Sequence, residues 1–145
     1  MSFSPLPDAK GKRRGQPPKA TDQELSVPKV PEDDGHLLLS FRHIQPRFGV
    51  DEMSERQRSE FLIKWAKRCG FTWTELGLHT KHGLGYEMLP RSQFKPTPPE
   101  ALTEDKYMVF RHDANLPFAG FKAGDTFYVL WIETRYGDLY DHGKK

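Results

Sequence analysis

The chain divides into a polar N-terminal stretch and a longer remainder in which apolar residues recur at regular spacings. Residues 1–35 contain repeated prolines, a basic run at 10–14 and an acidic run at 32–34, with few large apolar side chains. Such a segment buries too little apolar surface to offset the entropy lost on ordering. We therefore expect a disordered N-terminal tail over 1–35 and a single domain over 36–145.

The first half of that domain predicts one strand and one clear helix. The run at 37–41 is short, apolar and flanked by turn-forming residues, which is typical of a strand. A helix is expected to begin after Ser54, because Ser54 and Gln57 have the spacing of a capping box, in which each side chain bonds the other residue's backbone amide. Gly70 is suited to end it. The apolar positions that recur on one face of this helix are Phe61, Leu62, Trp65, Ala66 and Cys69.

The second half is expected to be mainly β-structure. A short second helix comes first, since Thr72 and Glu75 repeat the capping-box spacing. Glycines and prolines then predict an irregular segment over 79–105. Strand-like runs follow at 107–112, 118–122 and 126–133, of which the last is apolar on both faces and is expected to be central. The predicted fold class is α+β, with an N-terminal strand and one or two helices packed on a C-terminal antiparallel β-meander.

Composition and charge narrow the functional classes. The chain has 145 residues, a formal net charge of +2 and a single cysteine. One cysteine excludes an internal disulfide framework and a multi-cysteine zinc site, and so small a net charge does not by itself argue for nucleic-acid binding. No apolar run is long enough to span a bilayer, and the N-terminus lacks the pattern of a signal peptide. We expect a cytoplasmic protein without membrane association.

Chemically capable side chains gather in the segment 79–91, at the end of the strand 107–112, and near the C-terminus. A meander brings strand ends together, so these groups are expected to share one edge of the sheet. Cleavage of RNA by the ribose 2′-hydroxyl needs a base, an acid and cations that stabilise charge on the phosphate. The side chains suited to those roles are Glu87, Arg111, Arg135 and His142. Aromatic rings suited to stacking on unpaired bases are Tyr86, Tyr136 and Tyr140.

Other interpretations of the same residues stay open. His79 and His82 are spaced by three, and His142 or Asp141 would complete a metal-ligand set. The chain has neither the paired His-Glu helix motif nor the cysteines of a strong metal signature, so we expect no metal and no cofactor. Each residue also has a structural interpretation. Glu87 would be a solvated carboxylate and Arg111 a strand-edge arginine facing water, while Tyr136 and Tyr140 would cover the core.

The C-terminal two-thirds of the sequence resembles the RelE/YoeB group of bacterial toxin ribonucleases, the toxic halves of type II toxin–antitoxin pairs. The resemblance rests on the order of four segments: the helix 54–69, the loop 83–89, the strand-rich stretch 115–136 and the terminal run 139–142. The chain departs from that group at 116–119, where those toxins usually carry a basic and an aromatic residue.

The resemblance implies a base at Glu87, a phosphate-binding cation at Arg111, and an acid or stacking role for His142 and Tyr140. The expected RNA-binding residues are Lys81, His82, Arg91, Arg135, Tyr136 and Tyr140. It also implies an antitoxin protein as partner and messenger RNA as substrate, including RNA on the ribosome.

We therefore expect a metal-independent endoribonuclease toxin with a RelE-like fold. Two alternatives remain. One is a non-catalytic module on the same fold, which binds nucleic acid or a protein through the basic helix face and the sheet edge. The other is a phage- or plasmid-type accessory protein without any chemistry.

Overall fold

The computed structural model describes residues 35–143, so nearly all of the predicted tail lies outside the described residues. The strands are β1 (Leu38–Ser40), β2 (Glu87–Pro90), β3 (Lys106–Asp113), β4 (Leu116–Ala123) and β5 (Thr126–Ile132), and the α-helices are α1 (Glu55–Arg68) and α2 (Trp73–Leu76). Short 3₁₀ turns span Val50–Glu52, Arg91–Gln93 and Glu100–Leu102. No helix within this part of the chain is both long and apolar enough to cross a bilayer.

The strands form one five-stranded sheet in the order β1-β5-β4-β3-β2. Strand β1 runs parallel to β5, and all other neighbouring strands are antiparallel. The α+β class is confirmed, but the sheet is mixed, because the N-terminal strand joins the meander in the parallel direction. Strand β5 is an interior strand, as its apolar sequence predicts, while β4 occupies the middle of the sheet.

The expectation of an irregular segment over 79–105 is wrong at one place, since this segment contains strand β2. That strand pairs with β3, and Glu87 lies opposite Val109. Its four residues are too few to show a clear alternation, and Pro90 argues against a strand. The pairing is possible because β2 is at the edge of the sheet, where a missing amide donor is tolerated. Glu87 is therefore held on a strand rather than in a loop.

Both predicted capping boxes are present. The Ser54 hydroxyl accepts a hydrogen bond from the Gln57 amide at 3.1 Å, and the Gln57 side chain accepts one from the Ser54 amide at 3.0 Å. Thr72 and Glu75 form the same reciprocal pair at the start of α2. These local signals place the N-termini of both helices correctly.

The predicted apolar face of α1 is wrong by part of a turn. The residues that α1 buries are Phe61, Trp65 and Arg68, while Leu62, Ala66 and Cys69 are exposed. The buried positions follow the helical spacing i, i+4, i+7, but the third of them is an arginine. A charged residue is rarely fully buried, so the sequence pattern places Arg68 outside the apolar stripe.

Apolar residues cover both faces of the sheet. The cluster between the sheet and α1 contains Phe110, Phe118 and Phe127 from strands and Phe61 and Trp65 from the helix. On the opposite side of the sheet, here called the far face, a second cluster contains residues of strands and of segments that cover them: Tyr107, Val109, Leu130 and Trp131 from strands, and Phe94, Leu139 and Tyr140 from covering segments. The far face is therefore covered partly by the C-terminal segment that follows β5, and not by a helix.

The register of β4 against β5 shifts between Ala119 and Gly120. A Cβ atom at Gly120 would overlap the backbone carbonyl of Tyr128, so only glycine allows the two strands to approach this closely.

We expect Gly120→Ala to lower the free energy of unfolding by about 2–4 kcal/mol, measured by urea denaturation. Gly70→Ala is the control, since its Cβ would meet no atom nearer than 3.4 Å. Equal stability of the two variants would contradict the close approach.

Candidate functional site

Two of the predicted catalytic side chains meet on the far face. Glu87 pairs with Val109, and Arg111 lies two residues further along β3, so all three side chains point to the same face. One carboxylate oxygen of Glu87 lies 3.4 Å from Nη2 of Arg111, and the other lies 3.0 Å from Nζ of Lys81. Arg111 also donates from Nη1 to the Lys81 carbonyl at 3.1 Å. Each oxygen of Glu87 thus faces a cation.

The backbone around Arg111 is supported by the buried Arg68. From α1, its Nη2 donates to the Arg111 carbonyl at 2.9 Å and its Nε donates to the Leu84 carbonyl at 2.8 Å. Its guanidinium lies 4.8 Å from the ring centre of Phe110 and forms no ion pair with a carboxylate in the described part of the chain. Burial lowers the pKa of Arg68 to about 10. Arg68 thus joins α1, β3 and the loop that carries Lys81.

A second group of side chains surrounds the carboxylate of Glu133, which directly follows β5 and is fully buried. One oxygen lies 2.7 Å from Nε2 of His142, and the other accepts hydrogen bonds from the amides of Gly137 and Leu139 at 3.1 and 2.8 Å. Burial raises the pKa of the Glu133 carboxyl, and these donors and His142 oppose that shift. The C-terminal segment is thus folded around one carboxylate.

His142 is also held between two aromatic rings. Its ring centre lies 4.1 Å from that of Tyr136 and 4.6 Å from that of Tyr140, with interplanar angles of 26° and 28°. Its side chain is 5% exposed, whereas Tyr136 at the end of the stack is 63% exposed. His142 is therefore ordered by contacts on three sides, despite its position near the C-terminus.

Tyr140 links the two groups. Its hydroxyl is buried and has no hydrogen-bond partner within residues 35–143. Burial raises the pKa of Tyr140 to about 12; Arg111 lowers this pKa, while Glu87 and Glu133 raise it. The hydroxyl therefore interacts electrostatically with charged residues of both groups, and it keeps its proton at neutral pH. We call Glu87, Arg111, Glu133, Tyr140 and His142 the candidate site.

The remaining predicted residues lie around this site or away from it. His82 lines a depression of about 210 Å³ together with Lys64, Lys67 and Arg111. Arg135 is exposed and lines a separate cleft. Arg91 follows β2 at the end opposite Glu87, where its backbone amide bonds the Asp105 carbonyl. The structure does not bring Arg91 to the candidate site.

The alternative of a metal site gains no support from the geometry. Within residues 35–143, no three side chains of His, Cys, Asp or Glu lie close enough together to hold an ion. The ring of His79 packs against Phe71 at 4.7 Å between ring centres.

Comparison with known proteins adds no further information. No family model, no curated protein and no solved structure matches the chain.

Sequence reasoning missed two residues that hold the site, Arg68 and Glu133. Both are charged residues at positions that an uninterrupted apolar pattern would fill: Arg68 continues the helical spacing of Phe61 and Trp65, and Glu133 continues β5. A charged residue at such a position indicates a buried hydrogen-bond network, because burial of a charge requires dedicated partners.

A third buried polar residue, His112, packs beside the site. Its Nε2 lies 2.7 Å from the Glu133 carbonyl, which can only accept, so this nitrogen carries the proton. Its Nδ1 is buried without a hydrogen-bond partner in the described residues. Burial lowers the pKa of His112 from its ordinary value of 6.5, because removal from water disfavours the charged imidazolium.

This environment predicts a pH dependence of stability. The unfolded chain takes up a proton at His112 near pH 6.5, while the folded chain does not. The free energy of unfolding should therefore fall as the pH drops below about 6.5, by up to about 1.4 kcal/mol per pH unit, until the lowered pKa of the folded state is reached. His112→Gln retains a donor for the Glu133 carbonyl and should remove this slope.

Urea denaturation across this pH range measures the effect as the difference between wild type and His112→Gln. Contributions from other groups are common to both proteins and cancel. His82→Gln, at an exposed position, is the matched control and should keep the wild-type profile. Parallel profiles for wild type and His112→Gln would show that His112 does not titrate as described.

Proposed function

We propose that the chain is a metal-independent endoribonuclease of the RelE/YoeB toxin type, which cleaves messenger RNA by attack of the ribose 2′-hydroxyl on the adjacent phosphodiester. The observation that carries the proposal is the grouping of a carboxylate, a guanidinium and a phenol on the far face of the sheet. Glu87 pairs with Arg111, and Tyr140 packs in the apolar cluster on the same face. These are a base, a phosphate-binding cation and an acid, the three groups that this reaction needs.

We assign the catalytic roles as follows. Glu87 accepts the proton of the 2′-hydroxyl as its oxygen attacks phosphorus. Arg111 stabilises the charge that develops on the non-bridging phosphate oxygens. The bond to the 5′-oxygen then breaks, and this oxygen takes the proton of the Tyr140 hydroxyl. Because that hydroxyl is buried in the resting protein, the proposal requires RNA binding to expose it. The products are a 2′,3′-cyclic phosphate and a 5′-hydroxyl. His142 is engaged by Glu133 and stacked on Tyr140, so it acts by holding Tyr140 in place.

The contacts of Glu87 suggest how substrate prepares the base. Both carboxylate oxygens are engaged by cations, Lys81 on one side and Arg111 on the other. A phosphate that enters the site offers these cations a competing anion. Their movement toward the phosphate would free Glu87 to accept a proton. Lys81 and Arg111 thus pair with Glu87 in the resting protein and with the phosphate in the bound state.

A second candidate function is binding of nucleic acid or protein without catalysis. The depression lined by Lys64, Lys67, His82 and Arg111 is rich in positive charge and favours an acidic ligand. An accessory role without any chemistry is the third candidate. An antitoxin partner, RNA substrate on the ribosome and a cytoplasmic location are part of the toxin proposal only.

We expect induction of the chain to arrest growth and to produce RNA fragments that end in 2′,3′-cyclic phosphate. Glu87→Gln and Tyr140→Phe should each lower the rate of RNA cleavage by about 100-fold, because each removes a proton-transfer group. The measurement is mapping and quantification of fragment ends from induced cells and from a translating extract.

Glu100→Gln is the matched control, since it removes a carboxylate from an exposed turn. It should leave growth arrest and cleavage unchanged. Normal growth with folded protein present would contradict the toxin proposal. RNA binding without new fragment ends would favour the non-catalytic module. Full cleavage by Glu87→Gln would show that the base is assigned wrongly.

A further inference from the structure

A cleft of about 350 Å³ lies where the end of β5 meets the loop before α1, outside the candidate site. The two parts are joined by a hydrogen bond from the Ile132 amide to the Phe48 carbonyl at 2.8 Å. The residues that line the cleft are Arg47, Phe48, Glu52, Thr134, Arg135 and Asp138. Its volume is within the range of small-ligand pockets, about 300–1,000 Å³.

The charged side chains of this cleft form no ion pair within residues 35–143. Two are cationic and two are anionic, and all four are exposed: Arg47, Glu52, Arg135 and Asp138. None of them forms an ion pair with another described residue, although opposite charges line the same cleft. In the candidate site, by contrast, Glu87 and Arg111 are engaged with each other. The cleft thus offers separate donors and acceptors to a ligand.

We propose that the cleft binds an unpaired guanine base of single-stranded RNA. Guanine carries two adjacent donors, N1–H and the N2 amino group, and two adjacent acceptors, O6 and N7. A carboxylate can accept from both donors, and a guanidinium can donate to both acceptors. Adenine and uracil have neither of these adjacent pairs, and cytosine has adjacent acceptors but no adjacent donors. A cleft lined by carboxylates and guanidinium groups that are unpaired within residues 35–143 therefore offers partners to both of these edges of guanine.

The surroundings suit a planar base within a strand. Phe48 is half-buried and gives the cleft one apolar wall. Tyr136 directly follows Arg135, is largely exposed and stacks on His142 of the candidate site. A neighbouring base that stacks on Tyr136 would lead the strand from the cleft toward Tyr140. The inference rests on the proposed function in taking RNA as the ligand, and it adds a base preference next to the cleaved bond.

The test uses the full chain with Glu87→Gln, so that bound RNA stays intact. The probes are fluorescein-labelled single-stranded RNAs of adenosines, either uniform or with one central guanosine or inosine, and the measurement is fluorescence anisotropy. We expect the guanosine probe to bind at least about tenfold more tightly than the uniform probe. Inosine lacks the N2 amino group and should lose most of this preference.

The cleft variants are Glu52→Gln and Asp138→Asn, alone and together, with Asp51→Asn as the neighbouring control outside the cleft. The double variant should abolish the guanine preference, and the control should keep it. Equal binding of the guanosine and uniform probes, or a preference that survives the double variant, would overturn the inference. A guanine preference without cleavage by the wild type would instead support this site while contradicting the proposed reaction.

Discussion

The buried carboxylate of Glu133 determines how the C-terminal segment is arranged. A carboxylate without solvent is costly unless its oxygens are fully hydrogen-bonded. Here the partners come from the segment itself, as the amides of Gly137 and Leu139 and the ring of His142. The chain after β5 must therefore turn back to satisfy this group. In doing so it places Leu139 and Tyr140 on the far face of the sheet.

Arg68 is the corresponding buried cation on the other side of the sheet. It has no carboxylate partner among the described residues and is stabilised by backbone carbonyls and by the face of Phe110. Because one of those carbonyls belongs to Arg111, the helix fixes the backbone from which the site arginine projects. The two charged side chains that sequence patterns would place in solvent are thus the ones that hold the candidate site together.

The parts of the fold that were predictable depend on neighbours in sequence. The capping boxes at Ser54 and Thr72 need only residues three positions apart, and the strands β3 to β5 are long enough to show their composition. Strand β2 could not be predicted, because its four residues become a strand only by pairing with β3. The buried face of α1 was mispredicted for a similar reason, since Arg68 is tolerated there only through carbonyls from distant segments.

The same distinction applies to the candidate site. Residue type points to Glu87, Arg111 and His142, and the expectation that strand ends meet is enough to bring Glu87 and Arg111 together. The position of Glu133, in line with the apolar run of β5, indicates a buried charge, but the sequence does not show which groups bond to it. Its role depends on the turn that returns two amides and one imidazole to it, which only the folded chain shows.

The capping box of α1 also fixes the proposed base cleft relative to the candidate site. Gln57 accepts from the Ser54 amide and donates from Nε2 to the Thr134 carbonyl at 3.0 Å. Thr134 lines the cleft, and Glu133 before it anchors His142. A segment held at both of these positions cannot shift without breaking either the cap or the buried carboxylate network. A base bound in the cleft would therefore have a fixed distance to Tyr140, which is the condition for selecting one phosphodiester along a flexible strand.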